Sequence, residues 1–305
     1  ALLPKGAEVL PNPSGTAPGM IWQPREHLTI LTFPGVPSEM KLMWHETAVP
    51  YLKRQGWGQT IIHSRSLRFW GIGESALAAK VSPFFELRNP TVAPYAGNGE
   101  VRLRVSARAA SVEEAEALIN PVATQLQAIA GLDYYGDDDD SLASVVGKQL
   151  QARGETLAVA ESCTGGGLGQ AITAIPGSSA YFWGGIISYD NQVKVNLLNV
   201  DPETLASQGA VSHAVAQQMA VGVRSRLGTT WGLSITGIAG PSGGTAAKPV
   251  GLVYIGLASA DGLVESYEHR FSDIKGRDWI RHMSICTALD QLRRLIVPRC
   301  SPSLD

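Results

Sequence analysis

The strand-like run TLAVAES (156–162) delivers Ser162 into a turn of small residues, Cys163, Thr164, Gly165, Gly166 and Gly167. A hydroxyl at the end of an apolar strand, followed by a glycine-rich helix start, sits where backbone N–H groups converge on a bound anion. Ser162 then reads as a nucleophile beside an oxyanion or phosphate cradle made by Thr164, Gly165 and Gly166. The alternative is a polar cap in a tight strand-to-helix packing turn. The spacing matches neither the dinucleotide fingerprint nor the P-loop, since no Gly-Lys-Ser/Thr follows.

Three further groups carry the same kind of promise. In GGIISYDNQVK (184–194), Tyr189 and Lys194 stand five residues apart at a strand end and a helix start, where both can turn towards one pocket. In SITGIAGPSGG (234–244), a strand brings Thr236 into a loop of small residues. The amides of that loop, including Gly237 and Gly240, are suited to a phosphate or a carboxamide. Arg277 follows Gly276 at the start of the last helix, where a guanidinium can grip phosphate with two donors. The plainer readings are a surface lysine, a flexible connection and a surface arginine.

The histidines argue by default. His213, His269 and His282 lie outside the glycine-rich loops and show no metal-ligand spacing. A Ser-His-Asp triad therefore lacks its base, and lysine is left for that role. At an ordinary pKa of about 10.4 only about one lysine in a thousand is neutral near neutrality, so burial has to lower it. Cys163 is the rival nucleophile, but without a histidine partner it reads as a small packing residue. Cys163, Cys286 and Cys300 cannot form a disulfide framework, and no CxxC pair suggests zinc.

These residues need elements to hold them. The 305 residues suit two or three domains, and the 44% hydrophobic content is enough for real cores. With 25 basic and 27 acidic side chains, direct nucleic-acid binding is not expected. Of 33 glycines, 20 fall in residues 151–305 and 13 in residues 1–150, so the special backbone is concentrated late. No apolar run is long enough to span a membrane and no signal-peptide pattern opens the chain, so a cytoplasmic protein is expected.

The expected domains are 1–55, 56–136 and 141–305, with the run Asp137-Asp138-Asp139-Asp140 as an acidic linker or turn. In the first, LTILTF (28–33) predicts a strand, and Ser38 is placed to cap a helix over the following residues. One strand and one helix make a poor core, which suggests the tail of a larger α/β domain. The second predicts a small α+β domain: a strand, a short helix, a hairpin about Gly97-Asn98-Gly99, and a helix opened by a capping box of Ser111 and Glu114. Pro121 is expected to kink that helix or to lie near a break in it. The third alternates strands and helices, ending in a helix from Asp278 to Val297. That pattern predicts a three-layer α/β domain, its mixed sheet covered on both faces, with an antiparallel pair at one edge.

Taken together, ESCTGG (161–166), residues 176–200, residues 209–224, SITGIAGPSGG (234–244) and KPVGLVYIG (248–256) resemble the C-terminal domain of the CinA family, named for competence/damage-inducible protein. Residues 57–136 resemble the family's KH-like middle segment. They lack a GxxG loop flanked by basic residues, so RNA binding is not expected. NPSGTAPGM (12–20) and LTFPGVPSEMKLMW (31–44) resemble the end of its N-terminal, MoaB/MogA-type molybdopterin-binding-like domain.

The resemblance implies hydrolysis of the carboxamide of nicotinamide mononucleotide to nicotinate mononucleotide and ammonia, in NAD recycling, with no cofactor. Ser162 would be the nucleophile, Lys194 its base and Tyr189 an assisting hydroxyl, with Thr236 and Arg277 completing the active and substrate-binding positions. A homodimer that binds a small pyridine nucleotide is implied as well. The family's N-terminal domain is linked to metal-dependent ADP-ribose pyrophosphatase activity, and its Gly-Gly-Leu-Gly-Pro-Thr and Asp-Asp segments are absent here. That activity is therefore not expected, and Ala1 in place of Met suggests a fragment or a processed product. A non-catalytic nucleotide sensor and an accessory protein of DNA uptake are the remaining alternatives.

Overall fold

A computed structural model describes residues 3–296. Ala1, Val297 and Cys300 lie outside the described residues. The chain divides into two compact units, one of residues up to 64 with 106–120, the other of 65–105 with the residues from 121 onward.

The first unit is more structured at its start than its sequence suggests. Strands β1 (Ala7–Leu10), β2 (Gly19–Arg25) and β3 (Leu28–Thr32) form an antiparallel sheet in chain order, where one strand was expected. The Pro/Gly-rich composition hides the first two, because their alternation is short and broken by turns. Helix α1 (Pro37–Met43) starts with Pro37 after Val36, and Ser38 lies inside it rather than capping it. The fixed φ of proline suits that first position, so no side-chain cap is needed. A π-helical turn, Trp44–Ala48, joins it to α2 (Val49–Arg54). Leu10, Ile21, Met43 and Ala48 form the small core of this unit.

Strand β4 (Ile61–Phe69), α3 (Glu74–Val81), β5 (Thr91–Gly97), β6 (Glu100–Ala109), α4 (Val112–Ala130) and β7 (Tyr134–Asp137) follow, with the strands in the order β5-β6-β4-β7. Ser111 Oγ accepts from the Glu114 amide at 3.2 Å, but the Glu114 carboxylate reaches the Ala110 amide, at 2.9 Å, rather than that of Ser111. Helix α4 runs through Pro121 without ending. A proline inside a helix costs about 3 kcal/mol. Burying Ile119 and Leu126, both fully enclosed, offsets it by about 3–6 kcal/mol.

Strand β7, unforeseen in the sequence, ends on the first of the four aspartates. The rest make an ordered turn: Asp138 Oδ1 accepts from the Ser66 amide at 2.8 Å, and Asp140 takes Lys148 Nζ at 2.6 Å.

The remaining elements are α5 (Leu142–Arg153), β8 (Leu157–Glu161), α6 (Gly167–Thr173), β9 (Phe182–Ile187), α7 (Asn191–Leu198), α8 (Pro202–Gln208), α9 (His213–Leu227), β10 (Trp231–Gly237), β11 (Leu252–Ser259), β12 (Val264–Arg270) and α10 (Gly276–Ile296). Their sheet has the order β12-β11-β10-β8-β9, parallel across β10-β8-β9 and antiparallel at β10-β11 and β11-β12. This is the expected mixed sheet in three layers. Along β8, Leu157 and Val159 enter the core lined by α5 and α10, while Ala158 and Ala160 enter the core under α9. A strand buried on both faces alternates between two cores, and Glu161 at its end is the one polar side chain along it. Helix α9 lies close on the sheet because Gly232 and Gly256 leave room: a Cβ there would meet the carbonyls of Ala220 and Ala216.

Asp290, on α10 and 3% exposed, accepts from Arg293 Nε at 3.0 Å and Arg294 Nε at 2.6 Å. Arg293, itself 2% exposed, also donates to the carbonyls of Tyr134 and Leu132, and Arg294 donates to that of Trp70. Asp290→Ala leaves a buried guanidinium without its counter-charge and is expected to destabilise the protein by about 3–5 kcal/mol in urea unfolding. A loss below about 1 kcal/mol would show that the carbonyls alone satisfy Arg293.

Candidate active site

Strand β8 ends at Glu161, and the Ser162 amide still donates to Ile235 O of β10, at 2.9 Å. The chain then reverses tightly. Gly165 N donates to Ser162 O at 3.1 Å, and Gly167 N to Thr164 O at 3.2 Å. Gly165 and Gly166 both have positive φ, +59° and +97°, which requires two residues without a Cβ in succession. The turn leaves Ser162 at the mouth of a cleft.

Lys194 comes from α7, which starts at Asn191 behind an Asp190 cap that accepts from the Gln192 amide at 2.8 Å. One turn into that helix, Lys194 is 1% exposed. Its Nζ lies 2.7 Å from Ser188 O, 3.3 Å from Tyr189 O and 3.3 Å from Ser162 Oγ. Burial lowers its pKa, opposed by the nearby Asp190 and Cys163. A neutral amine has two N–H bonds and one lone pair. As an ammonium, Lys194 donates to both carbonyls and to Ser162 Oγ; as a neutral amine with its two N–H bonds on the carbonyls, it has its lone pair left for the Ser162 hydroxyl. The pair is arranged for proton transfer from serine to lysine.

Thr236, next to last in β10, donates from Oγ1 to Ala210 O at 2.8 Å. The loop after it is pinned twice. Arg277 Nη1 donates to Gly240 O at 2.7 Å, and Lys248 Nζ donates to the carbonyls of Gln208 and Val211 at 2.5 and 2.7 Å. Arg277 Nη2 also lies 3.5 Å from the hydroxyl of Tyr189, a residue 62% exposed.

These groups surround a cavity of about 250 Å³, lined by Ser162, Cys163, Tyr189, Asn191, Lys194, Ala210, Val211, Thr236 to Gly240, Ser242, Gly243 and Arg277. Larger hollows lie beside Asp290, about 470 Å³, and Glu100, about 410 Å³. The second is lined by Cys286 with His282 Nε2 3.8 Å from its sulfur, but burial pushes that thiol up to about 12, which keeps it protonated. Of the expected residues, the cavity brings together Ser162, Tyr189, Lys194, Thr236, Gly237, Gly240 and Arg277.

Thr164, Gly165 and Gly166 stay outside it. The Thr164 side chain is fully buried and its Oγ1 has no partner. The expected amide cradle needs correction as well. The amides of Gly166, Leu168 and Gly169 donate to the Glu161 carboxylate at 3.0, 3.0 and 2.8 Å. The amides of Cys163 and Thr164 have no carbonyl or carboxylate partner among the described residues, and of the two residues only Cys163 lines the cavity. Burial pushes the Cys163 thiol up to about 12, which keeps it protonated and fits the packing reading.

Several residues of the site escaped the sequence reading. Asn191 and Ser242 line the cavity, and Ser188 contributes its carbonyl. Arg281 donates to Thr164 O at 2.8 Å. Glu161 had a legible signal: a single acid ending an otherwise apolar strand, just before a run of glycines.

The fold and the site define a three-layer α/β domain that carries a Ser–Lys pair, its lysine buried, at the ends of its parallel strands. Residues 139–296 match the CinA C-terminal domain model, and residues 64–136 match the model of the damage-inducible protein CinA KH domain. A CinA-like protein of Cyanothece sp. is 72% identical over 297 residues, which cover 97% of this chain and 71% of that one. One from Trichormus variabilis is 67% identical over 299 residues, covering 98% and 72%. Among solved structures, the competence/damage inducible protein CihA from Agrobacterium tumefaciens is 43% identical, with a TM-score of 0.49, over 50% of this chain and 93% of that one. The chain belongs to the CinA family.

Gly240 has φ +75°, and a Cβ there would press on the Val250 side chain. Gly240→Ala is expected to cost about 1–2 kcal/mol and to speed amide exchange across residues 241–250 while β10 stays protected. Unchanged exchange in that loop would mean that Arg277 and Lys248 hold it unaided.

Proposed function

We propose that this protein hydrolyses the carboxamide of nicotinamide mononucleotide, giving nicotinate mononucleotide and ammonia. The observation that carries the reading is the Ser162–Lys194 pair: a buried amine whose N–H bonds are taken by carbonyls, 3.3 Å from a serine hydroxyl at the cavity. The substrate is the one that the family resemblance implies.

Lys194 Nζ takes the Ser162 proton as Oγ bonds to the carboxamide carbon. The amide of Cys163, which lines the cavity, receives the oxyanion, and one such donor is typically worth about 3–4 kcal/mol. The C–N bond breaks as the Lys194 ammonium returns its proton to the leaving ammonia, directly or relayed through the Tyr189 hydroxyl, which leaves Lys194 neutral. Water then attacks the acyl ester, again giving up its proton to Lys194, and Ser162 is restored. Arg277 and the loop after Thr236 hold the nucleotide's ribose phosphate.

Ammonia release from nicotinamide mononucleotide, with and without chelator, tests this directly, and the two rates are expected to agree. Ser162→Ala is expected to fold and to lose at least about 10³-fold in rate, and Lys194→Met about 10²–10⁴-fold. A wild-type protein that binds the nucleotide without releasing ammonia would favour a non-catalytic sensor.

Only neutral Lys194 accepts the proton. kcat/KM is therefore expected to be low where the lysine is an ammonium and to rise with pH through its pKa. Because burial lowers that pKa, the midpoint lies below the ordinary 10.5. A profile between about pH 6 and 10 checks this, and a flat one would assign the base elsewhere.

A further inference from the structure

Glu161 immediately precedes Ser162, and no step above uses its side chain. It is 2% exposed and ends a strand otherwise made of leucine, valine and alanine. A buried carboxylate is strongly unfavourable unless its oxygens are satisfied. No lysine, arginine or histidine pairs with it among the described residues. Its three donors are the amides of Gly166, Leu168 and Gly169. The carboxylate therefore fixes the Gly165–Gly166 peptide of the turn after Ser162 and the first turn of α6.

The backbone of the same residue reaches the other half of the pair. Glu161 O accepts from the Ser188 amide at 2.7 Å, and Ser188 O accepts from Lys194 Nζ at 2.7 Å. Ser162 and the carbonyl that aims Lys194 are thus both one link from Glu161. We infer that Glu161 is the positioning residue of the Ser162–Lys194 pair, its carboxylate holding the turn that sets Oγ against Nζ. The inference rests on the nucleophile and base reading given above, and not on the identity of the amide substrate.

The carboxylate is hard to replace. Glu161→Gln keeps an acceptor for the Gly166 and Leu168 amides but turns an NH₂ group towards that of Gly169. Glu161→Ala leaves all three amides buried without an acceptor. In either case the turn loosens and water reaches Nζ.

An alkyl fluorophosphonate reads the pair without a pyridine nucleotide. Ser162 Oγ bonds to phosphorus, the P–F bond breaks, fluoride leaves, and the serine proton passes to Lys194. With the full chain, labelling is expected to slow about tenfold in Glu161→Gln and about 100-fold in Glu161→Ala. kcat for ammonia release should fall in the same order, with KM held within about threefold. The pH midpoint of labelling should rise, because hydration of Nζ removes the desolvation that lowers its pKa. A mere loss of folded protein lowers the amplitude at every pH and leaves the midpoint in place.

Should Glu161→Ala not fold, the midpoint in Glu161→Gln decides. Wild-type rates and midpoint in the folded variants would overturn the inference. Labelling that depends on Glu161 in a protein that releases no ammonia from the nucleotide would refute the substrate and support the positioning role. A wild type that neither labels nor turns over would remove the pair and the inference with it.

Discussion

An amine enclosed to 1% exposure has to be held by something, and the way Lys194 is held governs the rest of the site. Two carbonyls at the end of β9 take its N–H bonds, which fixes the course of the chain from Ser188 into α7. The Asp190 cap sets where that helix begins, and so where the lysine falls on it. Burial favours the neutral amine, while Asp190 favours the ammonium. Two opposing influences on one group give the proton somewhere to go and a way back.

Around that amine, polar atoms are placed by backbone more than by side chains. The carbonyls of Ser188, Tyr189, Ala210, Gly240 and Thr164 all accept from residues of the site. Backbone is already ordered by the sheet and by the helix ends, so it positions donors at little further entropic cost. Arg277 and Arg281 tie α10 to the loop after Thr236 and to the turn after Ser162, and Lys248 ties that loop to the segment before α9.

Much of this was legible in the residues. The alternation of strands and helices, the hydroxyl ending β8, the glycines, and the pairing of Tyr189 with Lys194 all carry local signals that the fold preserves. What escaped depends on contacts distant in sequence. Strand β7 is short and polar, and becomes a strand only by pairing with β4. Pro121 breaks a local rule that packing along α4 overrides. The amides after Ser162 were read as vacant because their partner, Glu161, precedes the turn, and local pattern does not say which way a carboxylate folds back. In α8 the signal was present, an Asp201-Pro202 start, but seven residues give too short a period to stand out.

The strand order holds a further consequence. From β8 the chain crosses to β9 by way of α6, over the face packed against α5 and α10. It then returns past β8 to β10 through α9, on the opposite face. The path thus parts in two directions at the carboxyl end of β8, a topological switch point where the sheet opens a crevice that no connection has to cross. The serine stands at the fork and the lysine on the far arm. A molecule seated between them bridges both helical layers, so its binding is felt on each side of the sheet at once.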